Sequence, residues 1–172
     1  MLYWLLMGLS RIIRCLPHSA LLTLGRGAGI LYYRVIKKQR QRAIQQMMAG
    51  LVISEEEAKK LVKASFINMA TNVFEIFYMP RLNEKNFRDY IDIEHLERLT
   101  DALAEGRGVV VLTGHIGTWE WLSAAFTLSG LPVTAIAKPQ PNEQYTRVLN
   151  DLRATIHVEI FSRVNQDRKS VV

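Results

Sequence analysis

The run from Val109 to Ser123, VVVLTGHIGTWEWLS, constrains the fold more than any other stretch of the chain. Three valines and a leucine predict a buried strand, Gly114 and His115 interrupt it, and a glutamate flanked by tryptophans opens a helix. A strand that feeds a helix through so short a turn leaves its polar side chains at the strand's carboxyl end, where α/β sheets hold their ligands. His115 and Glu120 are expected there. On one continuous helix, residues five apart point about 140° away from each other at roughly 3.6 residues per turn, so these two could not share a substrate. The turn must therefore fall between them. Gly114 and Gly117 supply backbone freedom for it, and Thr118 is a suitable N-cap, which puts Glu120 in the first helical turn near the positive end of the dipole. There the carboxylate stays ionised. Beside an imidazole it would fix the tautomer and raise the basicity, leaving the other ring nitrogen to take a proton from an attacking hydroxyl.

The first 42 residues read as a membrane-associated segment. Leu2 to Leu9 are almost wholly apolar, but Arg11 and Arg14 interrupt them well short of the roughly 20 residues of a clean span. A second apolar stretch, Ala20 to Ile36, is broken by Arg26, and Pro17 marks a turn between the two. This pattern predicts two hydrophobic helices lying in or dipping into the bilayer, with a tilted single span as the competing arrangement. The charges follow the apolar run, which argues against a cleaved signal peptide. Arg34, Lys37, Lys38, Arg40 and Arg42 come next, the kind of cluster that anionic headgroups attract at about 1 kcal/mol per residue. The bland alternative is a solvated helix face. Aromatic residues for base stacking are not interleaved with these charges, so nucleic acid is not expected as a partner. The net charge of +6 points to an anionic partner without choosing one, and the single Cys15 excludes an internal disulfide and a multi-cysteine zinc site.

Residues 43–86 read as helical. Ser54 and Glu57 form a capping box that opens a helix ending near Met79, before Pro80. Val62, Phe66, Met69, Val73 and Phe77 recur at helical steps, an apolar face that marks a packing helix. Glu75 beside that face is expected to be solvated or salt-bridged. From Phe87 onward the elements become shorter, and residues 87–172 read as an α/β domain. Tyr90–Ile93 is predicted as a strand, Glu94–Glu105 as a helix closed by Gly106, and Pro132–Ala137 as another strand after a stop at Gly130. Asn142 caps a helix with Tyr145, Val148, Leu149 and Leu152 on one face, and His157–Phe161 is the last strand. Three or four strands make a thin sheet, and NQDRKSVV ends as though another element should follow, so the domain is expected to be truncated at its C-terminus. No glycine-rich phosphate loop is present, and no second histidine or acid near His115 has metal-ligand spacing.

The GHIGTWEW block after VVVLT resembles the acyltransferase signature of the bacterial lipid A biosynthesis (late) acyltransferases, which are related to lysophospholipid and glycerol-3-phosphate acyltransferases. The segments RQRAIQQM, EIFYMPRL, EGRGVVVLTGH and KPQPN…LNDLR are similar to the same family in the same order. The resemblance implies an αβα acyltransferase-type sheet domain behind hydrophobic N-terminal helices. It also implies a membrane-associated enzyme on the cytoplasmic face of the bacterial inner membrane. The reaction would move an acyl chain from a thioester, on acyl carrier protein or coenzyme A, to a hydroxyl of a lipid A precursor. Neither a resident cofactor nor a metal is implied. His115 would be the general base and Glu120 the group that orients it; backbone amides around Gly117 and Thr118 would stabilise the oxyanion. Arg153 aligns with an arginine of the family tied to the active site, with a cation at a helix C-terminus as the plain alternative. The family often has a glycine shortly after this arginine, where this chain has Thr155, Ile156 and His157. Trp119 is open to a substrate-lining role, whereas Trp121 is expected in the core. The resemblance leaves a site-lining role open for Glu75. It also leaves open three rival functions: an acyl-coenzyme A dependent phospholipid or glycolipid transferase, a thioesterase, and a non-catalytic membrane-binding module.

Overall fold

A computed structural model describes residues 1–162. The chain divides into one compact unit, Met1–Tyr78, and a second from Met79 onward. The break falls at the end of a helix, ahead of the expected boundary at 86/87, and the expected boundary at 42/43 lies inside a helix.

Four helices build the first unit: α1 (Leu2–Ile13), α2 (His18–Val35), α3 (Lys37–Leu51) and α4 (Glu55–Tyr78). Pro17 stands at the N-cap of α2, where its missing N–H costs nothing and its φ of −60° is already suitable. α4 opens on the expected capping box. The Ser54 N–H donates to Glu57 Oε2 at 3.0 Å, and the Glu57 N–H donates back to Ser54 Oγ at 3.3 Å. The hydroxyl and then the backbone N–H of Ser54 hold the Glu57 carboxyl below the usual glutamate range. Gly25 and Gly29 let α2 lie directly on α4. A Cβ at Gly29 would meet Ile67 Cα at 2.6 Å and Phe66 O at 2.9 Å, and one at Gly25 would meet Thr71 Cα at 2.9 Å. Ile44 of α3 packs on Ala58 and Val62 of α4, and the Ser10 hydroxyl of α1 donates to the Phe77 carbonyl at 2.7 Å.

Two expectations for this unit change. Val62 is buried, but Met69 and Val73 remain 55% and 44% exposed, because the apolar stripe of α4 is longer than the surface α2 and α3 put against it. No helix among the described residues is long and apolar enough to cross a membrane, which leaves the tilted single span without a helix to form it. α1 has only 12 residues, and Arg26 and Arg34 interrupt α2. Glu75 does take a salt-bridged place: its Oε1 lies 3.2 Å from Nε2 of His18, at the start of α2.

The second unit is α/β. It holds α5 (Leu96–Ala104), α6 (Trp119–Thr127), β1 (Thr134–Ala137), α7 (Glu143–Ala154) and β2 (Glu159–Ser162), preceded by short 3-10 turns at Met79–Arg81 and Phe87–Asp89. β1 and β2 pair in parallel, Thr134 opposite Glu159 and Ala137 opposite Ser162, with α7 as the crossover. Leu152 and Ile156 are fully buried and Val148 nearly so, giving this βαβ unit its core. Gly106 closes the turn after α5 at φ +75°.

α6 and α7 end in the same Schellman geometry. After α6 the Leu131 N–H reaches Phe126 O at 3.0 Å and the Gly130 N–H reaches Thr127 O at 3.0 Å, with Gly130 at φ +84°. After α7 the Val158 N–H reaches Arg153 O at 3.3 Å and the His157 N–H reaches Ala154 O at 3.2 Å, with His157 at φ +59°. His157 thus occupies a backbone position that favours glycine. The chain turn after Arg153 is made despite the residue type.

Two predicted strands are not formed. At Tyr90–Ile93 the chain leaves a 3-10 turn, and the Ile91 N–H bonds back to Phe87 O at 2.9 Å, so the backbone curls where a strand would extend. The run 109–113 is exposed and carries no ladder, with Val110 and Leu112 each 96% exposed. A strand needs a neighbour for its N–H and C=O groups. β1 gives its ladder to β2, and a groove of about 530 Å3, lined also by Leu99, Leu103 and Phe126, lies between β1 and residues 109–111. Among the described residues the sheet therefore has two strands, where three or four were expected.

Candidate active site

The turn between the predicted pair of site residues lies where the glycines place it. Gly117 takes φ +58°, Thr118 is the N-cap of α6, and Glu120 falls in the helix's first turn. The Thr118 side chain makes no capping hydrogen bond. Two N–H groups of the turn are already used locally: that of Ile116 on Gly114 O at 3.0 Å and that of Trp119 on Gly117 O at 3.1 Å. Neither points outward as a ready oxyanion donor.

Glu120 is held by Arg153. The Arg153 Nε–H donates to Glu120 Oε2 at 2.8 Å and Nη2–H to Oε1 at 2.6 Å, a bidentate fork with the side chains 15% and 8% exposed. Each group sits at the helix end that suits its charge, Glu120 in the first turn of α6 and Arg153 in the last turn of α7. Asn150, one turn earlier on α7, offers Oδ1 to Arg153 Nη1 at 3.5 Å.

His115 stands apart from this pair. Its ring is exposed and packs on Trp119, with centroids 4.9 Å apart and planes tilted by 54°. The expected direct bond from Glu120 to His115 is not made among the described residues. The planar guanidinium matches both carboxylate oxygens at once, and an imidazole can offer only one N–H to a given carboxylate. Trp119 is half-buried against His115, and Trp121 is buried in a T-shaped contact with Tyr90, ring centroids 6.3 Å apart.

The clamp lies at the carboxyl end of the parallel pair. Arg153 borders a small cavity of about 40 Å3 that is also lined by Lys138 and Gln140 after β1, Asn150 on α7 and Ser162 at the end of β2. Lys138 and Asn150 escaped the sequence reading. The position of KPQ directly after a strand was the available signal for Lys138, and nothing local distinguished Asn150. Among the described residues, no group of three His, Cys, Asp or Glu side chains comes together as a metal site.

Both comparisons with known proteins lead to acyltransferases. The phosphatidylinositol mannoside acyltransferase of Mycolicibacterium smegmatis is 24% identical over 108 residues, which cover 63% of this chain and 36% of that protein. The match thus spans about a third of that relative's length. The family model of the bacterial lipid A biosynthesis acyltransferases matches residues 1–171. With a match over nearly its whole length, the chain belongs to the bacterial lipid A biosynthesis acyltransferase family.

Proposed function

We propose that the protein carries out O-acyl transfer at a membrane surface, moving a fatty acyl chain from an acyl carrier protein or coenzyme A thioester to a hydroxyl of a lipid A precursor. The observation that carries this reading is the exposed His115 on a turn anchored by the buried Glu120–Arg153 clamp. An exposed imidazole is reachable by a lipid hydroxyl, and a rigid support keeps it where a reacting atom can be met. His115 removes the hydroxyl proton as the oxygen attacks the thioester carbonyl. Collapse of the tetrahedral species breaks the carbon–sulfur bond, and the imidazolium returns its proton to the leaving thiolate. Glu120 acts at one remove: through Arg153 it ties the start of α6 to α7 and so positions the turn that bears His115.

A membrane setting is the reading supported by the first 54 residues, which hold eight Lys or Arg and no Asp or Glu. Such a segment, with exposed Trp4, Leu5 and Ile12 on α1, suits an anionic leaflet such as the cytoplasmic face of the inner membrane. The name of the mycobacterial relative, a phosphatidylinositol mannoside acyltransferase, favours a mannosylated phosphatidylinositol as a second acceptor.

The test is transfer of labelled acyl chains from each donor to each acceptor, using the protein as its source cell makes it. His115→Ala should lower turnover by about 10²–10⁴-fold, the usual contribution of a positioned general base, while vesicle binding persists. Normal transfer by His115→Ala would overturn the mechanism. Thioester hydrolysis that does not respond to added acceptor would instead identify a thioesterase.

A further inference from the structure

The apolar stripe of α4 that α2 and α3 leave uncovered has a shape. Met69 and Val73 face Ala28 and Tyr32 of α2 across an open groove of about 570 Å3, floored by Phe66 and Ala70. That volume is in the ordinary range of about 300–1,000 Å3 for small-molecule sites. The groove lies alongside a helix pair already in backbone contact at Gly25 and Gly29, so nothing within the first unit is placed to fill it. Leu31 and Val35 extend the exposed apolar surface along α2. A contiguous apolar surface of this kind marks a binding site.

Polarity selects the occupant. Tyr32 and Ser65 contribute the only side-chain hydroxyls of the lining. The helix backbones are bonded internally, so the groove would leave the backbone groups of an extended peptide unsatisfied. A hydrocarbon chain has no such groups. One end of the groove is cationic. Tyr32 packs on Phe66 at 5.4 Å, Tyr33 packs edge-on to Phe66 at 5.8 Å, and Arg40 lies 5.1 Å over Tyr33 with a hydrogen bond to the Tyr33 carbonyl at 3.1 Å. Lys37 and Lys38 follow Ile36, the break between α2 and α3 at the same end.

We propose that the α2–α4 groove takes one acyl chain of an anionic phospholipid from the bilayer, with the headgroup phosphate held at the Lys37–Arg40 end. The site is a lipid anchor separate from the turn that bears His115. It rests on the reading of the first 54 residues as a membrane-facing surface and adds that one lipid is seated within it. Lipid at this position seats α2 and α4 in a bilayer surface to which α1 and the basic cluster already bind the protein.

The experiment uses the full chain and vesicles doped with a phospholipid carrying a diazirine on its acyl chain, in phosphatidylglycerol or in phosphatidylcholine. Photolysis should label peptides containing Ala28–Tyr32 and Ser65–Phe74, severalfold more in phosphatidylglycerol. Val73→Trp fills the groove from an exposed position, and Met69→Glu places a charge in it. Each should reduce the adduct severalfold while circular dichroism and sedimentation with vesicles stay unchanged. Lys37→Gln with Lys38→Gln should remove the headgroup preference. Labels confined to α1, adducts indifferent to both groove substitutions, or copy-to-copy crosslinks at Met69 in place of lipid adducts would overturn the proposal. Acyl transfer and sedimentation measured on the same samples separate the two ideas. Absence of the groove adduct from the unsubstituted protein, with both intact, defeats the anchor alone, and failure of that protein to sediment defeats the membrane reading with it.

Discussion

Cutting one side of the Glu120–Arg153 clamp tests how the second unit supports the turn that bears His115. In Arg153→Met the Glu120 carboxylate, with its side chain only 8% exposed, loses both hydrogen bonds, at 2.8 and 2.6 Å, and its counter-charge. Removing one partner of a buried pair typically costs about 3–5 kcal/mol, because the remaining charge is left desolvated. Glu120→Leu strands the guanidinium in the same way. The double variant Glu120→Leu/Arg153→Met leaves neither charge behind, so it should cost less than the larger single change. The coupling between the two sites should be in the upper part of the usual range of about 0.5–3 kcal/mol. Urea unfolding followed by tryptophan emission measures this directly. In a Trp4→Phe background the two remaining tryptophans, Trp119 and Trp121, both flank Glu120 on α6. Single changes that each cost under about 1 kcal/mol and simply add would refute the reasoning, since that is how an exposed pair behaves. The acyl-transfer assay supplies a second arm. If the clamp only positions the turn, the double variant should recover part of the activity that both single variants lose.

Gly29→Ala should destabilise the first unit by about 1–3 kcal/mol, since its Cβ would meet backbone atoms of α4 at 2.6 and 2.9 Å; an unchanged urea midpoint would contradict this packing. His157→Gly should raise the stability of the second unit by about 1 kcal/mol or less: it relieves a left-handed backbone conformation that costs other residues about 1–2 kcal/mol, and gives some of that gain back in unfolded-chain entropy. His157→Val should move the same urea midpoint the other way. The Glu57 cap predicts an acid-sensitive start to α4. Its folded-state pKa lies below the unfolded value, so the cap is complete above the ordinary glutamate range and is lost as pH falls through the lowered value. The protection factors of the first-turn amides of α4, with intrinsic exchange rates divided out, should fall on acidification, and Glu57→Gln should abolish that dependence.

Features that depend on neighbours three or four residues away were legible in the chain. The Ser54–Glu57 box, Pro17 before α2, Asn142 accepting from the Gln144 N–H at 2.9 Å, Gly130 after α6 and the turn through Gly117 all fall where residue type alone put them. Their physics is local: fixed φ, a short side chain bonding its own backbone, a glycine where φ is positive. The family was legible for a related reason, because a histidine, two glycines and a glutamate at set spacing survive as a string. What each charged group touches was not. Glu120 finds Arg153 33 residues away and Glu75 finds His18 57 residues away, and both choices depend on how helices are brought together. Hydrophobic content could not say whether VVVLT joins a ladder either, since a strand exists only where another strand offers hydrogen bonds; β1 pairs with β2 along one edge, and a groove separates it from residues 109–111. Likewise, helical periodicity showed an apolar stripe on α4, but only the close approach at Gly25 and Gly29 decided which part of that stripe is buried and which part lines a groove.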